Sequence, residues 1–330
     1  MKRMISTVLL LAVCLSLFGC GAAGPAQTTA APTTTAATEP PALTGPAALD
    51  GKKIIFIGNS YTYNGLCVLS KPDSVLSQNE RLYDQGLFFQ MCRQNGAECI
   101  VTNWTFGGHN TTQLFGGVCG KKGDCENENH QNYFIDPYFD YVCIQPYVES
   151  SYNGNLARHL KPVTDFFRKA NPDVKFLLLV PHMAYDHGYK WVEGIDALDR
   201  EDFIICNWGA MLHDIVQGNV QVPGATQEFL RSTFVVSTSE EDGHHQNLLA
   251  GYITTQMVYC AITGESAVGQ DYSLCNNSSI NERFDWLRFR DQYYTYDPTT
   301  NFVEVFESPE DMKGIQQLID QYINDFNEVN

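Results

Sequence analysis

A serine that directly follows an apolar run is the first candidate for chemistry. Residues 53–57 read Lys-Ile-Ile-Phe-Ile, and Gly58-Asn59-Ser60 comes next. A buried strand that runs into a Gly-x-Ser turn would project the hydroxyl of Ser60, as a nucleophile requires. The pattern is not the G-x-S-x-G elbow of the α/β hydrolases, because Thr62 stands where the second glycine is needed. A serine after a strand also commonly caps the next helix, and this alternative stays open.

A second candidate lies far along the chain, in the run Asp242-Gly243-His244-His245. A turn between Asp242 and His245 would let the carboxylate bond one ring nitrogen while the other nitrogen faces a serine. The same segment could be a solvated acidic loop or, with its paired histidines, a metal site. No H-E-x-x-H spacing accompanies these residues. We therefore expect neither a metal nor an organic cofactor.

The elements that must position these residues alternate between strands and helices. Short apolar, β-branched runs predict strands at residues 53–57, 99–106, 139–144, 174–180 and 233–236. Apolar residues at helical spacing predict helices at residues 82–93, 156–170, 202–216 and 247–262 and a last one that begins at Ser308-Pro309. Such alternation is typical of an α/β fold, here a three-layer α/β/α sandwich with a mostly parallel five-stranded sheet.

Ligands of such sheets bind beyond the carboxyl ends of the strands. Asn59, His109 and His182 follow the first, second and fourth predicted strands. We therefore expect these three side chains to line a substrate pocket. Either histidine could instead be an ordinary hydrogen-bonded residue of the core or the surface.

Taken together, the serine after the first strand and the late Asp-x-x-His resemble the SGNH/GDSL hydrolase superfamily over residues 52–265. Residues 54–62, Ile-Ile-Phe-Ile-Gly-Asn-Ser-Tyr-Thr, are similar to the family's first block, and the Asp-Gly-His-His run is similar to its last. The resemblance implies a flavodoxin-like fold. It also implies a triad in which Ser60 is the nucleophile, His245 is the base and Asp242 orients the imidazole.

The same resemblance implies an oxyanion hole. Gly108, which follows the second strand, holds the position of the family's backbone donor. The usual G-x-N-D block is missing after the third strand, where this chain has Gln145. A branch of the superfamily has glutamine at this point, and its amide can donate the same hydrogen bond. Gln145 could instead be a packed polar residue at a strand end.

The amino terminus is typical of an export signal. A positive start precedes a mostly apolar run that is too short to span a bilayer and ends in Leu17-Phe18-Gly19-Cys20. This ending resembles the bacterial lipobox, so we expect residues 1–19 to be a lipoprotein signal peptide and Cys20 to carry the lipid. An ordinary cleaved signal peptide is the alternative. The expected location is the extracellular face of the cell membrane, with the lipid as the only membrane contact.

Composition divides the remaining chain. Residues 20–47 are mainly Ala, Thr, Pro and Gly, which predicts a disordered tether. Residues 48–330 are long enough for one large catalytic domain, and their C-terminal extension, 266–330, could be a lid, a packing arm or a partner surface. Export would permit disulfides, and Cys119 and Cys125 flank a turn-rich loop that such a bond could close.

Charge narrows the choice of partners. The formal net charge is −17, so phosphates would be repelled and nucleic acid is excluded as a partner. We therefore expect a secreted, surface-anchored serine esterase that hydrolyses acyl esters, with acetyl esters of carbohydrate as one substrate class. Two alternatives stay open, a polysaccharide O-acyltransferase and a carbohydrate-binding lipoprotein on a fold that has lost catalysis.

Overall fold

The fold was analysed in a computed structural model of the chain. The structure describes residues 45–63, 86–105, 136–146, 156–181, 200–222, 235–236, 245–246, 248–276 and 309–327. The predicted signal peptide, the lipid site at Cys20, most of the tether and the Cys119–Cys125 loop lie outside these ranges.

Strands and helices alternate along most of the described chain. The strands are β1 (Lys53–Gly58), β2 (Ile100–Thr105), β3 (Tyr141–Ile144), β4 (Lys175–Leu179), β5 (Phe203–Cys206), β6 (Val235–Val236) and β7 (His245–Gln246). The helices are α1 (Ser60–Tyr63), α2 (Leu87–Gln94), α3 (Leu156–Ala170), α4 (Trp208–Gln217), α5 (Leu248–Thr263) and α6 (Pro309–Asn327). Short 3₁₀ helices span Gly45–Ala48, Arg200–Asp202 and Ser273–Asn276.

Five strands form one sheet in the order β2-β1-β3-β4-β5, and every neighbouring pair in it is parallel. This is the flavodoxin-like order, in which the chain reverses direction across the sheet between β1 and β3. The α/β class and the mostly parallel five-stranded sheet predicted from the sequence are confirmed.

Both faces of the sheet are covered, which is why its strands read as continuous apolar runs. Ile54 and Phe56 of β1 pack in one core with residues of α2, α4, α5 and α6. Ile55 and Ile57 pack in a second core with α3 on the opposite face. Successive side chains of one strand therefore point into two separate cores, and the molecule has three layers.

The fifth strand of the sheet is not the one predicted. Phe203–Cys206 pairs with β4, although the sequence pattern placed it inside a helix over 202–216. A short apolar run fits a buried strand or a helix equally well, and the helix starts only after Asn207, whose side chain accepts the N–H of Ala210 at 3.0 Å. Val235–Val236, predicted as the fifth strand, instead pairs antiparallel with β7 in a separate two-stranded sheet.

The C-terminal helix closes the outer edge of the sheet. Asn327, at the end of α6, accepts the main-chain N–H of Ile205 at 2.7 Å and donates to its carbonyl at 2.9 Å. A side-chain amide thus satisfies the main-chain N–H and carbonyl of Ile205 on β5. Unpaired groups of this kind on an edge strand could otherwise pair with another chain. This part of the extension packs against the sheet. Within the described ranges, no helix combines the length and the apolar character needed to cross a membrane.

Candidate active site

The candidate site lies at the carboxyl ends of β1 and β3, where the strand order reverses. Ile57 of β1 is opposite Ile144 of β3. Gln145 extends this pairing by one step, since its N–H donates to the carbonyl of Ile57 at 2.8 Å. Asn59 and Ser60 leave β1 at the same level. Crevices at such reversal points are where sheets of this order bind their ligands.

The amide of Gln145 is held in one orientation. Its Oε1 accepts the main-chain N–H of Asn59 at 3.1 Å and the hydroxyl of Thr62 at 3.0 Å. Because a main-chain N–H can only donate, the oxygen must face Asn59 and the nitrogen must face the other way. Nε2 carries two N–H groups, and its bond to the carbonyl of Pro146 uses one. Gln145 is 1% exposed, so this arrangement is buried.

Gly58 is required by this close packing. A Cβ at position 58 would lie 2.3 Å from Oγ1 of Thr62 and 3.1 Å from both Cβ and Oε1 of Gln145. A contact of 2.3 Å is far inside van der Waals separation, so no larger residue fits without displacing the Thr62 hydroxyl. The glycine of the Gly-x-Ser turn thus allows Thr62 and Gln145 to meet above the end of β1.

The turn that follows β1 is capped by Asn59. Its Oδ1 accepts the N–H of Tyr61 at 3.1 Å, and its carbonyl accepts the N–H of Thr62 at 2.9 Å. Ser60 is the first residue of α1. The side chain of Asn59, which directly precedes α1, therefore acts as the N-cap of this helix. Asn59 is 1% exposed, so its side chain is buried at the start of this turn.

Helix α1 and strand β7 lie against each other. Cα atoms of the two elements approach within 8 Å, and β7 also adjoins the start of α5. Ser60 begins the first of these elements and His245 begins the second. The fold therefore brings together the backbone segments of two predicted site residues that are far apart in the sequence. Asp242, Gly108, His109 and His182 lie outside the described residues.

Thr62 is a site residue that sequence reasoning missed. In the sequence it was a departure from the G-x-S-x-G motif and the last residue of the run that resembles the family's first block, and no role in the site was predicted for it. It is fully buried, and its hydroxyl donates to Gln145. The available signal was its position three residues after Asn59, a spacing that brings side chains to the same face of a helical turn.

The described side chains of the site are uncharged. Asn59, Thr62 and Gln145 are amides and a hydroxyl, whereas the ion pair between Lys52 and Asp140 lies at the amino ends of β1 and β3. Across the part of the chain that the structure describes, no group of three or more His, Cys, Asp or Glu side chains is placed to hold a metal ion. The second N–H of Gln145 Nε2 can donate a hydrogen bond from a fixed direction to a group bound beyond β1 and β3.

Comparison with known proteins was made at the levels of sequence and structure. No protein-family model matches the chain, and no curated protein matches it. A candidate SGNH hydrolase from Slackia heliotrinireducens aligns with 66% of this chain and 100% of its own, at 10% identity and a TM-score of 0.40. The acetyl xylan esterase Est2A from the rumen bacterium Butyrivibrio proteoclasticus aligns with 48% of this chain and 56% of its own, at 13% identity and a TM-score of 0.27. These scores are low, and the α/β assignment stands on the strand order of the chain itself.

Proposed function

We propose that the protein is a serine esterase of the SGNH type, with Ser60 as nucleophile, His245 as base and Asp242 as the group that orients the imidazole. The observation that supports this most strongly is the approach of α1 to β7 at the carboxyl edge of the sheet. A triad needs its serine and histidine within hydrogen-bond reach, and only a fold that joins these two segments allows it.

The proposed reaction is acyl transfer through a covalent intermediate. Oγ of Ser60 attacks the ester carbonyl carbon while His245 takes its proton. The resulting oxyanion accepts hydrogen bonds from the N–H groups of Ser60 and Gly108 and from Nε2 of Gln145. Collapse expels the alcohol, which receives the proton from His245. Water, deprotonated by the same imidazole, then attacks the acyl-enzyme and releases the acid and free Ser60.

The proposed substrates are uncharged acyl esters, with acetyl esters of carbohydrate as the first class to test. The formal net charge of −17 suits an uncharged ester better than an anionic one, because like charges repel. The export signal and the lipid at Cys20, both expected from the sequence, would place the enzyme at the outer surface of a bacterial cell, where such polymers occur.

The decisive experiment is hydrolysis of p-nitrophenyl acetate by the wild-type protein and by Ser60→Ala. Loss of the nucleophile should lower kcat by about 10³-fold or more. Ser273→Ala is the matched control, because Ser273 is exposed in a 3₁₀ helix and should keep the wild-type rate. A fluorophosphonate should label Ser60 covalently. Equal rates for the wild type and Ser60→Ala would refute the proposal, and acetylation of an added sugar would point to the transferase instead.

A further inference from the structure

We infer that Thr62 is a positioning residue, which acts through Gln145 by fixing the direction in which Nε2 donates. This inference rests on the proposed function, because it concerns the same oxyanion site. Thr62 itself is not expected to touch the substrate. The inference depends on three properties of the contact: its geometry, its burial and its effect on the amide.

The geometry leaves the amide one low-energy orientation. Oε1 of Gln145 receives two donors, the N–H of Asn59 at 3.1 Å and the hydroxyl of Thr62 at 3.0 Å. Rotating the amide by half a turn would aim Nε2 at the N–H of Asn59 and Oε1 at the carbonyl of Pro146, and both of those bonds would break. With Thr62 removed, the bonds from Asn59 and to Pro146 still oppose a half turn, but Oε1 loses one of its two donors and a smaller tilt becomes easier. The hydroxyl therefore narrows the directions that the N–H groups of Gln145 can take.

Burial makes this restraint strong. Thr62 is fully buried, Gln145 is 1% exposed, and no further atom fits between these two side chains and Gly58. A hydroxyl at this position therefore has no ready substitute from solvent. In such surroundings an unsatisfied carbonyl is costly, which keeps the hydrogen bond formed.

The contact also strengthens the donor. Hydrogen bonds that follow one another through an amide polarise each other. A proton donated to Oε1 withdraws electron density from the amide nitrogen of Gln145. Its N–H groups then become better donors to a developing negative charge. Because an oxyanion forms only as the reaction proceeds, this effect appears in kcat rather than in KM.

The test is a double-mutant cycle on ester hydrolysis. Thr62→Val keeps the shape of the side chain and removes the hydroxyl, so kcat should fall by roughly tenfold with KM within about twofold, a part of the 10²–10³ that a whole oxyanion donor supplies. Thr62→Ser keeps the donor and should retain most of the wild-type kcat. In a Gln145→Ala background, Thr62→Val should lower kcat no further, because the group it positions is gone.

The outcomes separate a positioning role from a structural one. A wild-type kcat for Thr62→Val would overturn the inference, and so would an equal loss of kcat in both backgrounds, since a general weakening of the fold is independent of Gln145. Thermal melts check that each variant is folded. If Thr62→Val is not folded, Thr62→Ala replaces it in the same double-mutant cycle. A wild-type protein without esterase activity or fluorophosphonate labelling would reject the proposed function itself, and the positioning role with it.

Discussion

The two ends of strands β1 and β3 are joined in the same way but with different chemistry. At the amino end, Asp140 precedes β3 and accepts the N–H of Lys53 at 2.9 Å. At the carboxyl end, Gln145 follows β3 and accepts the N–H of Asn59 at 3.1 Å. Each side chain adds one hydrogen bond to the pairing of the two strands, accepted from a main-chain N–H. One is a carboxylate and the other is an amide of similar shape.

Surroundings account for the difference. The side chain of Asp140 is 18% exposed and pairs with Lys52 at 3.1 Å, so its charge is solvated and balanced. Gln145 is 1% exposed, and a carboxylate there would lose its hydration without a cation in return. The amide also keeps N–H groups, which a carboxylate lacks. Asp140 thus only stabilises the pairing of β1 and β3. Gln145 stabilises the pairing and also has an N–H group to donate.

The largest effect on kcat should come from Gln145→Glu, which places a carboxylate, the group found at the amino end, at the carboxyl end. The carboxylate can still accept the N–H of Asn59, but it replaces the donor at the oxyanion with a negative charge. We expect kcat for p-nitrophenyl acetate to fall by about 10³-fold or more. Burial should also raise the pKa of the new carboxyl, so stability should decline as pH rises through that pKa.

Asp140→Asn is the reciprocal exchange and the control. It places an amide at the exposed end, where one oxygen can still accept the N–H of Lys53. The expected kcat is within about twofold of wild type, with a stability loss below about 1 kcal/mol, typical of an exposed ion pair. Comparable losses of kcat in the two variants would remove the functional distinction between the ends.

A smaller effect should come from Gly58→Ala, which leaves Thr62 and Gln145 intact but places a methyl group against both. The new Cβ would lie 2.3 Å from Oγ1 of Thr62. Relieving that contact should cost about 1–3 kcal/mol and lower kcat by roughly tenfold as Gln145 moves. Both quantities can be read from chemical denaturation and steady-state kinetics.

Gly51→Ala provides the matched comparison for a glycine near the amino end of β1. Gly51 has a φ of +70°, and a Cβ there would meet nothing within 4 Å. The variant should lose about 1–2 kcal/mol through its backbone conformation alone and keep its kcat. If Gly58→Ala behaved like Gly51→Ala, the packing of Thr62 on Gln145 would not matter for catalysis.

The same comparison shows what the sequence can predict. Strands β1, β3 and β4 were predicted because buried parallel strands are continuous apolar runs. Phe203–Cys206 was missed because its run is only four residues long and directly precedes a helix. No local pattern carries the order of the strands, which depends on the crossovers between them.

The site divides in the same manner. Gln145 could be named from the sequence because the resemblance places a side-chain donor after the third strand, at the edge where such sheets bind ligands. The hydrogen bond from Thr62 to Gln145 could not be predicted from the sequence. It depends on the conformations of both side chains and on the distance between two segments that only the folded chain brings together. The close packing of Thr62 and Gln145 on Gly58 could not be predicted either, because a Gly-x-Ser pattern does not say which atoms occupy the space that a Cβ would fill.

The smallest effect concerns the charge at the amino end. The hydrogen bond from Lys52 to Asp140, opposed in part by desolvation, raises the pKa of Lys52 above its usual 10.5. The bonded pair stabilises the fold at pH values below the ordinary lysine pKa, and this contribution disappears as pH rises through the raised value. Because the Lys52 side chain is 35% exposed, screening should keep the contribution below about 1 kcal/mol.

Urea denaturation of wild type and Lys52→Met at pH 7 and pH 11 measures this contribution. The difference in unfolding free energy should be small at pH 7, smaller at pH 11 and reduced by 1 M salt, since exposed charges are screened. Esterase kcat at pH 7 should be the same for both proteins, because the pair lies at the opposite end of the strands from the site. A change in kcat without a change in stability would mean that charge at the amino end reaches the reacting groups, and the two ends could no longer be treated as separate.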